Sequence, residues 1–266
     1  MTHLRQIGFS QRIQLDWLEY TANLALAGNT RAEIAAELNE RLRDKLSVGS
    51  DPKRGTRHKA ITILTKVWIS VPKGREDLRN QAIELLRRAS PTDRIFIHWC
   101  MCMAAYPFFG RVAYTTGRLL RLQGTAGAAQ VQRRLREQFG ERETVARAAR
   151  RILRTFIDWG VLQETHTKGV YCGTGKRAAG SSEALGLWAI QAVLVATRGK
   201  RQSPDVLMNG PHMFPFDATA PSVRKMEMCD ALELTHHGLD NDVLVSPYRP
   251  RHKVTGRLSH DLAPGT

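Results

Sequence analysis

Residues 142–162 read RETVARAARRILRTFIDWGVL. Wound as a helix, the stretch puts Val145, Ala149, Ile152, Leu153 and Phe156 on one side. Arg147, Arg150, Arg151 and Arg154, at i, i+3, i+4 and i+7, fall on the other, and Arg142 stands at the start. Gly160 ends the pattern. Such a face is either an ordinary solvated surface over a core or a grip on a polyanion, and the flanking sequence decides between them. Arginine favours the second use, because its planar fork of donors matches phosphate oxygens and guanine edges. Glu141, Glu143 and Asp158 sit near the helix ends and leave the middle free of negative charge. Thr144 is placed to cap the N-terminus, where free N–H groups and the helix dipole favour a phosphate.

Working outward, residues 108–122 and 128–139 read as two further helices, the second separated from the arginine helix by Gly140-Glu-Arg-Glu143. Downstream, residues 161–165 and 170–172 read as strands joined by a tight His166-Thr-Lys168-Gly169 turn. Helix, helix, helix, strand, turn, strand is the order of a winged helix-turn-helix, and it covers residues 111–173. The arginine helix is then the second helix of the helix-turn-helix, and Lys168 lies at the tip of the wing.

Charge follows the same geography. The formal net charge is +15 over 266 residues. Residues 121–180 hold 12 basic and 5 acidic groups, whereas residues 181–266 hold nine of each. The positive field therefore belongs to the first 180 residues and attracts polyanions, with nucleic acid or an acidic protein surface equally served.

The N-terminal region, residues 1–110, reads as a helical domain. A broad apolar helix spans residues 11–27. Thr30-Arg-Ala-Glu33 then forms a capping box for a helix that repeats Ile34, Leu38 and Leu42 and pairs Glu37 with Arg41 on its outer face. A breaker-rich loop leads to a third helix capped by Thr56, which makes this pair helix-turn-helix-like. Lys53, Arg54, Arg57, His58 and Lys59 collect at its start, where a bound phosphate would relieve their conflict with the dipole; a solvated basic loop has the same composition. Helices over residues 74–89 and from Pro91 follow. Tyr106-Pro-Phe-Phe109 and Met213-Phe-Pro-Phe216 repeat an aromatic–proline pattern expected to wedge between elements.

Residues 173–182, with three glycines, read as a linker. Beyond it residues 181–247 suggest a small, near-neutral α+β domain: an apolar helix over 183–196, two short helices and a hairpin. Its Leu232-Glu-Leu-Thr-His-His-Gly238 echoes Leu162-Gln-Glu-Thr-His-Thr-Lys-Gly169, which hints at a second, diverged winged helix. Residues 248–266 form a basic tail expected to be loose. The fold class is mainly α.

Catalytic motifs are absent from the sequence: no Walker phosphate loop, no Gly-x-Ser-x-Gly, no His-Glu-x-x-His. His98, Cys100 and Cys102 do not converge on one helix face, and His236-His237 with Asp240 and Asp242 read better as a hairpin turn than as a metal site. Neither a cofactor nor a metal is expected. Four scattered cysteines, no apolar run near ~20 residues and an N-terminal stretch without a secretion-signal core point to a reduced, cytoplasmic, soluble protein.

EIAAELNERLRDKL (33–46), then RGTRHKAITILTKVW (54–68), a run of helices and a winged helix, resemble the BrxA family over about residues 10–170. That family comprises small, mostly helical DNA-binding subunits of bacterial BREX phage-defence systems. The segment from about 180 onward departs from its pattern. The resemblance implies non-enzymatic binding of duplex DNA, with Arg54, Arg57 and Lys59 as the matching positions. The expectation is a weakly sequence-specific double-stranded DNA binder, not an enzyme, that joins other subunits of a defence complex through its C-terminal domain and has no membrane partner. The alternative is a protein-interaction adaptor whose basic face docks an acidic partner. An RNA binder fits less well, since the aromatics sit at core-like positions.

Overall fold

The computed structural model describes residues 7–49, 55–71, 73–237 and 242–247. Its centre is helix α5 (Pro91–Ala105), capped by Ser90, whose hydroxyl accepts from the Asp93 N–H. Eleven of its residues are buried, so it has no solvated face to speak of. The helix is enclosed because neighbours cover it on all sides: α1 (Leu15–Leu26), α3 (Thr56–Trp68), α4 (Glu76–Arg88), α6 (Pro107–Gln123) and α9 (Glu183–Ala196). The capping box on α2 (Arg31–Arg41) forms as the sequence predicts, with Thr30 and Glu33 satisfying each other's backbone N–H groups.

Trp99 on α5 shows how the segments are joined. Its ring meets Phe109, Phe156, Trp159, Phe214 and Phe216, with centroids 4.8 to 6.1 Å apart. Its indole N–H donates to the His212 carbonyl at 3.0 Å. One cluster of buried apolar residues accordingly runs from Phe9 to Val245. The packing runs through both boundaries expected near residues 110 and 180. The two aromatic–proline pieces are the wedges that make it continuous, with Tyr106, Phe108, Phe109, Met213 and Phe216 all buried.

Between α6 and residue 173 the chain forms β1 (Thr125–Gly127), α7 (Ala128–Phe139), α8 (Glu143–Asp158), β2 (Leu162–Glu164) and β3 (Val170–Gly173). The three strands make an antiparallel sheet in the order β1-β3-β2, with Ala126 opposite Tyr171 and Gln163 opposite Cys172. β1 escapes sequence reading because three residues, Thr-Ala-Gly, carry no alternation.

The stretch expected to be a linker is structured. β4 (Arg177–Ala179) pairs in parallel with β5 (Phe216–Ala218), and the Asp93 carboxylate accepts from the Gly180 N–H at 3.0 Å and from the Ser181 hydroxyl at 2.5 Å. Its polar composition is used up by these bonds. α10 (Pro204–Asn209), a single 3₁₀ turn (Pro211–Met213) and α11 (Val223–Glu227) precede a hairpin of β6 (Leu232–His237) and β7 (Asp242–Pro247). Gln202 adds a single antiparallel bridge to Val245 of β7. Gly117 lets α6 meet the 3₁₀ turn at backbone distance: a Cβ there would stand 1.9 Å from the Pro211 carbonyl oxygen.

Several local expectations change. α1 begins at Leu15, with Gln14 as its extended N-cap and the Ile13 N–H donated to Thr155 Oγ1 at 3.0 Å. Gly55, and not Thr56, is the N-cap of α3. Arg41 turns from Glu37 to the Tyr20 ring and Asp16, while Glu37 accepts from the Tyr20 hydroxyl. No single helix among the described residues is long and apolar enough to cross a bilayer.

Candidate nucleic-acid interface

α8 is positioned by its inward side and by its C-terminal end. Its inward side buries Val145, Ala149, Ile152, Leu153 and Phe156, as the periodicity predicts. At its C-terminal end Asp158 pairs with Arg12, Thr155 accepts from Ile13, and the Trp159 indole donates to the Ile13 carbonyl at 3.0 Å. Gly160 then adopts φ +64, a left-handed conformation that ends the helix, and its carbonyl accepts from Thr174 Oγ1 and from Arg177, both at 2.6 Å. The arginine face is thus attached to the core by its back and by its end.

On the outward side Arg147, Arg150, Arg151 and Arg154 are all exposed. They are not equivalent. Arg147 pairs with Glu143 at 2.9 Å and Arg154 with Glu164 of β2 at 2.7 Å. Arg150 and Arg151 have no acidic partner within ion-pair distance among the described residues. Two adjacent uncompensated guanidinium groups, flanked by two that a polyanion can draw away from carboxylates, make the middle of the face the electropositive part.

Thr144 does not cap α8. Arg142 is the N-cap, with extended backbone and no side-chain cap hydrogen bond, and its guanidinium donates to the Phe139 carbonyl at 3.3 Å. The helix starts one residue earlier than its sequence suggests, which places Thr144 inside the first turn and exposed. Lys168 and His166 are exposed at the β2–β3 turn, which Thr165 ties together by accepting from the Thr167 N–H at 3.2 Å.

The second basic node divides. Lys53 and Arg54 lie outside the described residues. His58 and Lys59 are exposed in the first turn of α3. Arg57 is turned inward to the chain: Nε donates to the Leu46 carbonyl at 3.1 Å, Nη2 to the Arg43 carbonyl at 3.0 Å and Nη1 to Asn39 at 3.3 Å. It closes the end of α2 against α3 and commits three of its five N–H donors to that closure. The expected phosphate contact therefore competes with a latch, and a polar residue in a basic loop has no sequence mark that separates the two.

Sequence reading also passed over Arg118 of α6, exposed with no ion pair among the described residues, and Arg133 of α7, exposed and paired with Glu137 at 3.9 Å. Both lie on helices outside the arginine stretch, and only the fold sets α6 and α7 beside α8.

The chain matches no family model, curated protein or solved structure. Among the described residues, no three His, Cys, Asp or Glu side chains converge as a metal site would require. Cys100 and Cys102 are buried, and burial pushes both thiols well above their usual range. His98 is enclosed against Trp68, with its Nε2 at 2.7 Å from Glu19. Burial lowers the pKa of this ring despite the neighbouring carboxylate. The Glu19 carboxyl, which burial alone would raise, is held at about 2 by its bonds to His98 and Arg94. These groups are parts of the core.

Proposed function

We propose that residues 107–173 are a winged helix-turn-helix and that the protein is a non-catalytic subunit that binds double-stranded DNA with little sequence preference. The strand order β1-β3-β2, with α7 and α8 between the first two strands, supports the first part. The observation that carries the second is the exposed arginine row of α8, with Arg150 and Arg151 uncompensated and Lys168 on the adjoining turn. In this reading α8 lies in or across the major groove, its arginines contact phosphates and guanine edges, and Lys168 reaches a neighbouring phosphate. Arg142, His58 and Lys59 are secondary contacts, and Thr144 offers a hydroxyl in the first turn of α8.

The C-terminal segment supports a second, diverged copy. α9, the bridge at Gln202, α10, α11, β6 and β7 follow the same order, with the 3₁₀ turn and β5 inserted between α10 and α11, and the strands run Gln202–β7–β6 as β1-β3-β2 do. Residues 183–247 hold eight acidic and five basic groups, a charge that suits the segment to protein partners within a larger assembly and not to DNA. The likeness to BrxA makes an anti-phage defence complex the context we favour.

The test is fluorescence anisotropy of a labelled ~30-base-pair duplex across a salt series, with single-stranded RNA as competitor. Sub-micromolar binding with a steep salt slope and poor competition by RNA supports the reading. No duplex binding at low salt sinks it and leaves the arginine face to an acidic protein partner, to be sought by pull-down.

A further inference from the structure

The wall between the two halves holds a cleft of about 420 Å³, well within the range of small-molecule sites. It opens between α6, the end of α7 and the segment joining α9 to α10. Its floor is apolar, built from Met103, Phe108 and Phe139, while Arg111, Arg198 and Lys200 also line it. No aspartate or glutamate is among its described lining residues, and those three cations have no ion pair among the described residues. Arg198 is also the one non-glycine residue, among those described, with a positive φ, at +64. Holding an arginine in that conformation costs energy that a glycine there would not, so the fold retains strain at a residue that lines the cleft.

We propose that this cleft binds a small organic anion with an apolar body, a carboxylate, sulfonate or phosphate head meeting Arg111, Arg198 and Lys200 and the body lying on Phe108, Phe139 and Met103. An apolar floor desolvates one end of such a ligand, and unpaired cations supply the only charge it meets. Occupancy also joins the segment after α9 to α6 and to Phe139 at the end of α7.

The full chain is titrated with 1-anilinonaphthalene-8-sulfonate, whose fluorescence rises in an apolar site, with octanoate and octylamine as competitors. We expect saturable one-site binding that octanoate displaces and octylamine does not. Two variants are chosen to spare the fold. Gly110→Leu favours helix α6 and projects a side chain into the cleft, since a Cβ at 110 stands 3.6 Å from Met103, an ordinary contact. It should abolish saturable binding. Arg198→Gly relieves the backbone and removes one cation, and should weaken the sulfonate about five-fold while leaving the melting temperature the same or higher. Non-saturable binding, equal displacement by octylamine, or unchanged affinity in a folded Gly110→Leu variant would overturn the proposal.

Discussion

The Trp159 indole N–H donates to the Ile13 carbonyl at 3.0 Å, across 146 positions of the chain. Both groups are buried, and the bond fastens the end of α8 to the extended segment ahead of α1. Trp159→Phe keeps the ring packing and orphans that carbonyl, so it should cost about 1–3 kcal/mol in denaturant unfolding. A loss below a few tenths of a kcal/mol would show that water replaces the indole.

The arginine row should respond unequally to mutation. Arg150→Ala with Arg151→Ala removes two uncompensated cations and should flatten the salt dependence of duplex binding by a log–log slope near ~1.8. Neither side chain faces the core, so the circular dichroism spectrum should not change. Unchanged affinity in a folded variant would move the DNA surface away from α8.

The carboxylates that hold the outer two arginines give the opposite sign. Glu143→Gln and Glu164→Gln free Arg147 and Arg154 without altering shape. Together they should tighten duplex binding several-fold, on the scale of ~1 kcal/mol for exposed pairs. Weaker binding would mean that these pairs orient the arginines for contact.

Arg57 should behave as a structural residue. Its three-point closure of α2 on α3 needs a planar fork, so Arg57→Lys should not rescue the fold as it would rescue a simple phosphate contact. We expect a loss of about 1–3 kcal/mol for Arg57→Ala, and most of that loss for the lysine variant. Full stability with reduced DNA affinity would restore Arg57 to the interface.

Acid should destabilise the protein through His212. Burial lowers this ring to about 4, while its Nε2–H donates to the Leu207 carbonyl at 3.0 Å. Between about pH 4 and the ordinary value of 6.5 the unfolded chain takes up a proton that the folded one refuses. Stability is therefore complete above 6.5 and falls with pH down to about 4, by about 3 kcal/mol from this group. His212→Gln keeps a donor toward Leu207 and should shrink the loss seen between pH 7.5 and 4.5; an identical loss would assign it to other groups.

Glycines on one helix separate packing from propensity. Gly117→Ala drives a Cβ into the Pro211 carbonyl at 1.9 Å, so it should lower stability by about 1–3 kcal/mol although alanine is the better helix former. A neutral result would mean that the 3₁₀ turn moves aside freely.

Local chemistry was readable from the chain alone. The Thr30–Glu33 capping box, the proline starts of α5 and α6, the apolar stripe of α8 and the outward arginines all follow from interactions within four residues, where sequence distance and spatial distance agree. So did the run of helices followed by a hairpin. What the tertiary structure decided depends on residues far apart in the chain. It paired β1 with β3 and β4 with β5, turned the expected linker into part of the core, and gathered rings from residues 109 to 216 around Trp99. It also sorted the basic residues. Arg57 donates to two backbone carbonyls and to Asn39, Arg147 and Arg154 meet glutamates, and Arg150 and Arg151 face solvent with their charge unspent. An arginine's charge is written in the sequence, but its availability depends on which acceptors the fold brings within reach.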